Sequence, residues 1–131
     1  MEYVTLVVIG ALFEYVFFTL RTGKARADSG LQAPAVTGDE MFERLFRVQQ
    51  NTLEQIVVFI PSIFICGMYL SEPAAAAIGL LFIIGRAVYF NAYITNPEQR
   101  GPGMIITVLS NTLLLLGGLA GVVLELIQKA G

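Results

Sequence analysis

Phe42-Glu43-Arg44-Leu45-Phe46-Arg47-Val48-Gln49-Gln50-Asn51-Thr52-Leu53-Glu54 runs with no helix breaker into the strongly apolar stretch Ile56 to Leu70. These residues predict one helix that enters a membrane carrying two arginines, a carboxylate and several amides. Ionisable groups near hydrocarbon are costly, and they persist where they face a bundle interior, a water-filled cavity or a bound polar ligand. The stretch therefore sets the class of the fold and marks the place to look for function.

Working outward from it, the chain is apolar nearly throughout. Hydrophobic residues make up 56% and charged residues 14%, with a mean hydropathy of +0.72, beyond the apolar share of an ordinary soluble domain. Further apolar stretches at Val4 to Leu20, Ala74 to Phe90 and Met104 to Leu124 reach spanning length once their flanking turns are added. The expected fold is an all-α integral membrane protein, a four-transmembrane-helix bundle in a single domain over residues 1–131, with helices at about 3–22, 40–70, 73–95 and 102–128. Met1-Glu2-Tyr3 lacks the basic n-region of a signal peptide, so the first apolar segment is expected to stay as a helix. The one sizeable connection expected is Gly23 to Asp39, which holds Gly30, Pro34 and Gly38. Any site must then be built from helix ends and short loops.

Composition narrows the chemistry. Cys66 is the only cysteine and there is no histidine, so no disulfide forms within the chain, the usual zinc and haem ligand sets are missing, and no metal is expected. Cys66 lies among apolar residues, where a packed, inert thiol is expected. A net charge of -2 leaves no basic excess to neutralise phosphates, so nucleic acid is not an expected partner. The distribution of charge says more. Arg21, Lys24, Arg26, Arg44 and Arg47 flank or occupy the first connection and Arg86 and Arg100 flank the third, while Leu70-Ser71-Glu72-Pro73 has no cation. The positive-inside rule then puts the first and third connections in the cytoplasm and both termini on the opposite side.

Local signals place the ends. Thr37 or Asp39 is expected to cap the second helix, with Asp39, Glu40 and Glu43 near the positive end of its dipole. Pro61 is expected to kink that helix by depriving the Val57 carbonyl of its donor. Pro73 suits a first turn, Asn96-Pro97 ends the third helix, and Gly117 and Gly121 in the last helix predict close helix packing. Glu14, inside the first span, is expected to bond to polar groups on neighbouring helices; the competing reading is a proton or cation site of a transporter.

At about 100° per residue with Arg44 at zero, Arg47 falls at about 300°, Asn51 at about 340° and Glu54 at about 280°, one stripe of the second helix, whereas Gln49 falls at about 140°, on the opposite side. Polar groups on two faces at one depth predict that a second copy of the chain supplies one of the surroundings. Arg86, Tyr89 and Tyr93, spaced i, i+3, i+7, share a face of the third helix. A plain interfacial belt accounts for Arg21 and Lys24 but not for Asn51 and Glu54, which lie deeper and need internal partners.

Phe42-Glu43-Arg44-x-x-Arg47-x-Gln49-x-Asn51-x-x-Glu54, followed by Arg86-x-x-Tyr89-Phe90-x-x-Tyr93 and Arg100, resembles the MAPEG family, membrane-associated proteins in eicosanoid and glutathione metabolism. The resemblance covers nearly the whole chain. It implies a homotrimer with sites between neighbouring subunits near the cytoplasmic face, each binding glutathione as co-substrate. Carried over by position, it implies that Arg47, Asn51, Glu54, Tyr89 and Tyr93 bind glutathione from one subunit, that Arg26 and Gln49 come from the next, and that Arg100 stabilises the thiolate. The activity implied is that of a glutathione S-transferase or peroxidase acting on lipophilic electrophiles or lipid peroxides, a detoxifying enzyme of the bacterial inner membrane facing the cytoplasm, with membrane lipids around it. Gln55 stands where leukotriene-forming members resemble one another in having tyrosine, and Val88 and Ala27 where they carry arginines, which points away from leukotriene chemistry. Two alternatives remain: a non-catalytic lipid-binding or scaffold member of the same family, and a small proton-coupled multidrug exporter using Glu14.

Overall fold

The computed structural model describes every residue, Met1–Gly131. Four long helices, α1 (Glu2–Ser29), α2 (Glu40–Tyr69), α3 (Glu72–Thr95) and α4 (Gly101–Ala130), account for almost the whole chain, with a 3-10 turn at Pro97–Gln99. Each is long and apolar enough to cross a membrane, and the protein is an all-α integral membrane protein as its composition predicts.

The helix starts follow from capping chemistry. Asp39 caps α2, its Oδ1 accepting from Phe42 N at 2.8 Å, and Ser71 caps α3 by accepting from Ala74 N; each satisfies a backbone donor that the first turn leaves orphaned. Asn96 ends α3, and its Oδ1 accepts from Glu98 N in the 3-10 turn. α2 passes through Pro61 as a continuous helix of 30 residues, about 45 Å at 1.5 Å per residue, so it extends past the roughly 30 Å hydrocarbon layer.

The first connection differs from expectation. α1 continues through Gly23 to Ser29, so the loop is 30–39 rather than Gly23 to Asp39. An isolated glycine costs a helix only about 1 kcal/mol. Here the extra turns gain the Lys24–Asp28 ion pair at 2.6 Å and the Arg26 contacts described below. The break comes at Gly30, whose φ of 72° is the left-handed geometry that glycine adopts freely.

The core is a stack of apolar side chains between the four helices, centred on Phe59 and Phe82, whose rings stack at 4.0 Å, with Val4, Ala11, Ile63 and Leu114 around them. Cys66 is packed inside it. Small residues bring the helices together. A Cβ on Gly103 would lie 2.4 Å from Tyr89 N, and one on Gly121 would lie 2.5 Å from the Tyr69 carbonyl group, so α4 crosses α3 and α2 at backbone contact. At the Met1 end, the terminal ammonium and Tyr3 N both reach Glu72, tying the start of α1 to the start of α3. The connection at 30–39 and the Asn96–Arg100 segment consequently share the other end of the bundle.

Candidate functional site

That second end gathers the polar residues. Arg86 of α3 is fully buried, the largest such side chain in the molecule. Its Nε donates to Thr107 Oγ1 on α4 at 3.0 Å, and its Nη1 donates to Asn51 Oδ1 at 2.7 Å and to Thr52 Oγ1 at 3.3 Å on α2. Its Nη2 reaches Met104 Sδ at 3.5 Å, and the guanidinium lies 4.4 Å from the centroid of the Tyr89 ring. A cation this deep is tolerable because neutral acceptors and a π-face surround it.

From Arg86 a continuous series of contacts leads outward. Asn51, its oxygen taken by Arg86, turns its amide towards Glu54 Oε2 at 3.4 Å. The Tyr89 ring lies 5.4 Å from that of Tyr93, and the Arg100 guanidinium is 5.9 Å from the Tyr93 ring while its Nη1 donates to the Pro97 carbonyl at 2.9 Å. Arg47 stands one turn before Asn51 on the same face of α2. Arg44 fastens this end of α2 to α3 by donating to the Ile94 carbonyl at 3.2 Å and pairing with Glu40.

The structure thus brings together Arg47, Asn51, Glu54, Tyr89, Tyr93 and Arg100. Gln49 and Arg26 are not with them in the same chain. Gln49 points from the opposite face of α2 and donates to Thr19 Oγ1 on α1 at 3.2 Å; Arg26 donates to the Ala35 carbonyl at 2.7 Å and lies over the Phe42 ring at 4.4 Å. Within one chain, α1 meets the face of α2 that carries Gln49. Glu14 differs too: its Oε1 is buried with no hydrogen-bond partner, where bonding to neighbouring helices was expected.

Two groups in the cluster have capacity to spare. Arg47 is exposed and makes no bond within the chain, and Glu54 is exposed with only the long contact to Asn51. A clear cation and a clear carboxylate two turns apart on one face of a helix that enters hydrocarbon suit a ligand carrying both acid and amine groups. At the Tyr93 end of the cluster an open cleft of about 360 Å³ is bordered by Glu40, Arg44 and Tyr93. A second, apolar groove of about 390 Å³ runs along α4 from Met104 to Leu109, next to the thioether that Arg86 touches.

Arg86, which the sequence sets on one face with Tyr89 and Tyr93 without giving it a role, stands at the centre of the cluster. Its signal in the sequence was an arginine inside an apolar helix, one turn before Tyr89.

The MAPEG family profile matches residues 4–120. An uncharacterized protein of Synechocystis sp. is 37% identical over 87% of this chain and 83% of its own. Microsomal glutathione S-transferase 2 of Mus musculus is 41% identical over 81% of this chain and 72% of its own, and leukotriene C4 synthase of Bos taurus is 33% identical over 70% and 61% respectively.

Proposed function

The chain belongs to the MAPEG family, and from that premise we propose that it is a membrane-embedded glutathione transferase, with or without peroxidase activity, whose co-substrate site is the polar cluster at the 30–39 end of the bundle. The observation that carries the reading is the series Arg86–Asn51–Glu54 and Arg86–Tyr89–Tyr93–Arg100, which joins a buried anchor to charged groups left free at the surface. The relatives named glutathione S-transferase and leukotriene C4 synthase support it.

Glutathione carries two carboxylates, an ammonium group and a thiol. Arg47 holds a carboxylate by a two-pronged hydrogen bond, Glu54 accepts from the ammonium group, and Asn51 and Tyr89 fix the tripeptide between them. Arg26 and Gln49, which lie apart from the cluster in one chain, are contributed by the neighbouring subunit of a homotrimer. The thiol resembles a free cysteine, with a pKa of about 8.5. Arg100, exposed and with most of its donors free, is the group that favours the thiolate. Lowering that pKa by about two units takes about 2.7 kcal/mol of preferential stabilisation, within reach of one guanidinium in a partly desolvated site. The apolar electrophile enters from the lipid along the α4 groove, and holding both reactants in place supplies much of the remaining gain. The cytoplasm is the side on which this site opens, as the positive-inside rule indicates.

Purified protein given glutathione and a chlorodinitrobenzene forms conjugate on this reading. Arg100→Ala lowers kcat about a hundredfold while the affinity for glutathione changes little. An Arg100→Ala enzyme as fast as wild type removes Arg100 from its role.

A further inference from the structure

Glu14 sits in the middle of α1 and has no part in the site above, yet its Oε1 is sealed from solvent with no donor. The register of α1 against α3 identifies its neighbour. A Cβ on Gly10 would lie 3.2 Å from Ile83 Cδ1, and further along the Phe18 ring stacks on Phe90 with centroids 4.8 Å apart. Glu14 is one turn from each of Gly10 and Phe18, and Arg86 is one turn from each of Ile83 and Phe90, so the two residues stand at one level on adjacent parallel helices, their side chains not bonded to each other in the single chain.

The hydrogen-bond inventories complement each other. A guanidinium has five N–H donors. In Arg86 the Nε–H is used by Thr107 and the two of Nη1 by Asn51 and Thr52, but Nη2 has only the Met104 thioether. One Nη2 hydrogen is thus without an acceptor in the same buried layer where Glu14 has an acceptor without a donor. Unmade hydrogen bonds of buried groups are expensive, more so for a charged donor.

We propose that a change of Glu14 side-chain rotamer gives Arg86 its missing acceptor from α1, and that Glu14 is thereby a positioning residue for the glutathione site. Once bonded to Glu14, Arg86 is gripped from α1 as well as from α2 and α4, and it holds the Asn51 oxygen and the Tyr89 ring still while the Asn51 amide faces the ligand. The consequence for binding rests on the function proposed above; the contact between Glu14 and Arg86 does not. What Arg86 requires is an oxygen, so an amide at position 14 serves as well as a carboxyl, and a side chain without an acceptor does not.

The test is calorimetric titration of the full-length protein in lipid nanodiscs with reduced glutathione. Glu14→Met, or Glu14→Ala if the first variant does not fold, weakens binding about tenfold, the scale of one hydrogen bond to a charged donor. Glu14→Gln restores wild-type affinity, and on an Arg86→Met background Glu14→Met has no further effect. Unchanged affinity in Glu14→Met, a Gln variant as weak as the Met variant, or additive losses in the double variant overturns the proposal. If wild-type protein binds no glutathione, the function proposed above fails on its own, and the same four variants are compared by melting temperature: a non-additive loss supports the contact and an additive loss overturns it.

Discussion

Arg86 and Arg100 are two arginines of one polar cluster in opposite surroundings. Arg86 is dry and bonded to neutral acceptors on two other helices, which suits an anchor; Arg100 is exposed with most donors free, which suits a group that meets a reacting anion. Replacing Arg86 by methionine leaves the Asn51 oxygen without its donor, at a cost of about 1–3 kcal/mol, read as a lower melting temperature together with weaker glutathione binding. Replacing Arg100 by alanine raises the midpoint of the pH–rate profile towards about 8.5, the value of an unassisted thiol. The sign follows from the charge: a guanidinium stabilises the thiolate and lowers the pKa, so its loss moves the midpoint up. A midpoint that stays put contradicts the role given to Arg100. Arg47, Asn51 and Glu54 were legible as site candidates because polar side chains in a span announce themselves. The centrality of Arg86 was not, because its partners Asn51, Thr52, Met104 and Thr107 lie 18 to 35 residues away in the chain and only packing brings them to it.

The starts of α2 and α3 were readable from Asp39 as a cap and Pro73 as a first-turn residue, since such signals act within a few residues, while the Ser71 cap emerged with the structure. The end of α1 was not. Gly23 has the look of a breaker, but its cost is small, and the contacts of Arg26 with Ala35 and Phe42 that reward the extra turns involve residues in the loop and beyond it. Gly117 and Gly121 announced close packing by their spacing, and the structure has a Cβ on Gly121 meeting the backbone of Tyr69. The α3–α4 crossing at Gly103 carried no such pair, yet it sets the distance between Arg86 and Thr107. Gly103→Val forces α4 away from Tyr89 and costs about 1–3 kcal/mol or more. It is expected to lower the melting temperature and glutathione affinity together, whereas Gly101→Ala, with nothing within 4 Å of the added carbon, changes neither.

Only 30 of 131 residues are buried within one chain, and Leu6, Phe13, Leu20, Val57 and Ile105 are each more than 60% exposed. Lipid or further copies of the chain must cover those faces, and four helices of this length and apolarity are what a bilayer accepts. The homotrimer follows from the proposed function rather than from the bundle itself, because Arg26 and Gln49 are needed at the site and lie away from it in their own chain. Glu54→Gln removes the acceptor for the ligand's ammonium group and weakens glutathione binding by roughly tenfold or more without loss of melting temperature; unchanged affinity moves the amine to another residue. The central claim, a shared pocket for an anionic thiol tripeptide, is tested most directly by a cryo-EM map of the protein in nanodiscs with glutathione. The account predicts three copies of the chain with tripeptide density at each boundary, against Arg47 and Glu54 of one subunit and Arg26 and Gln49 of the next, its sulfur beside Arg100. A map in which these side chains turn outward to lipid headgroups with no density between the chains contradicts it.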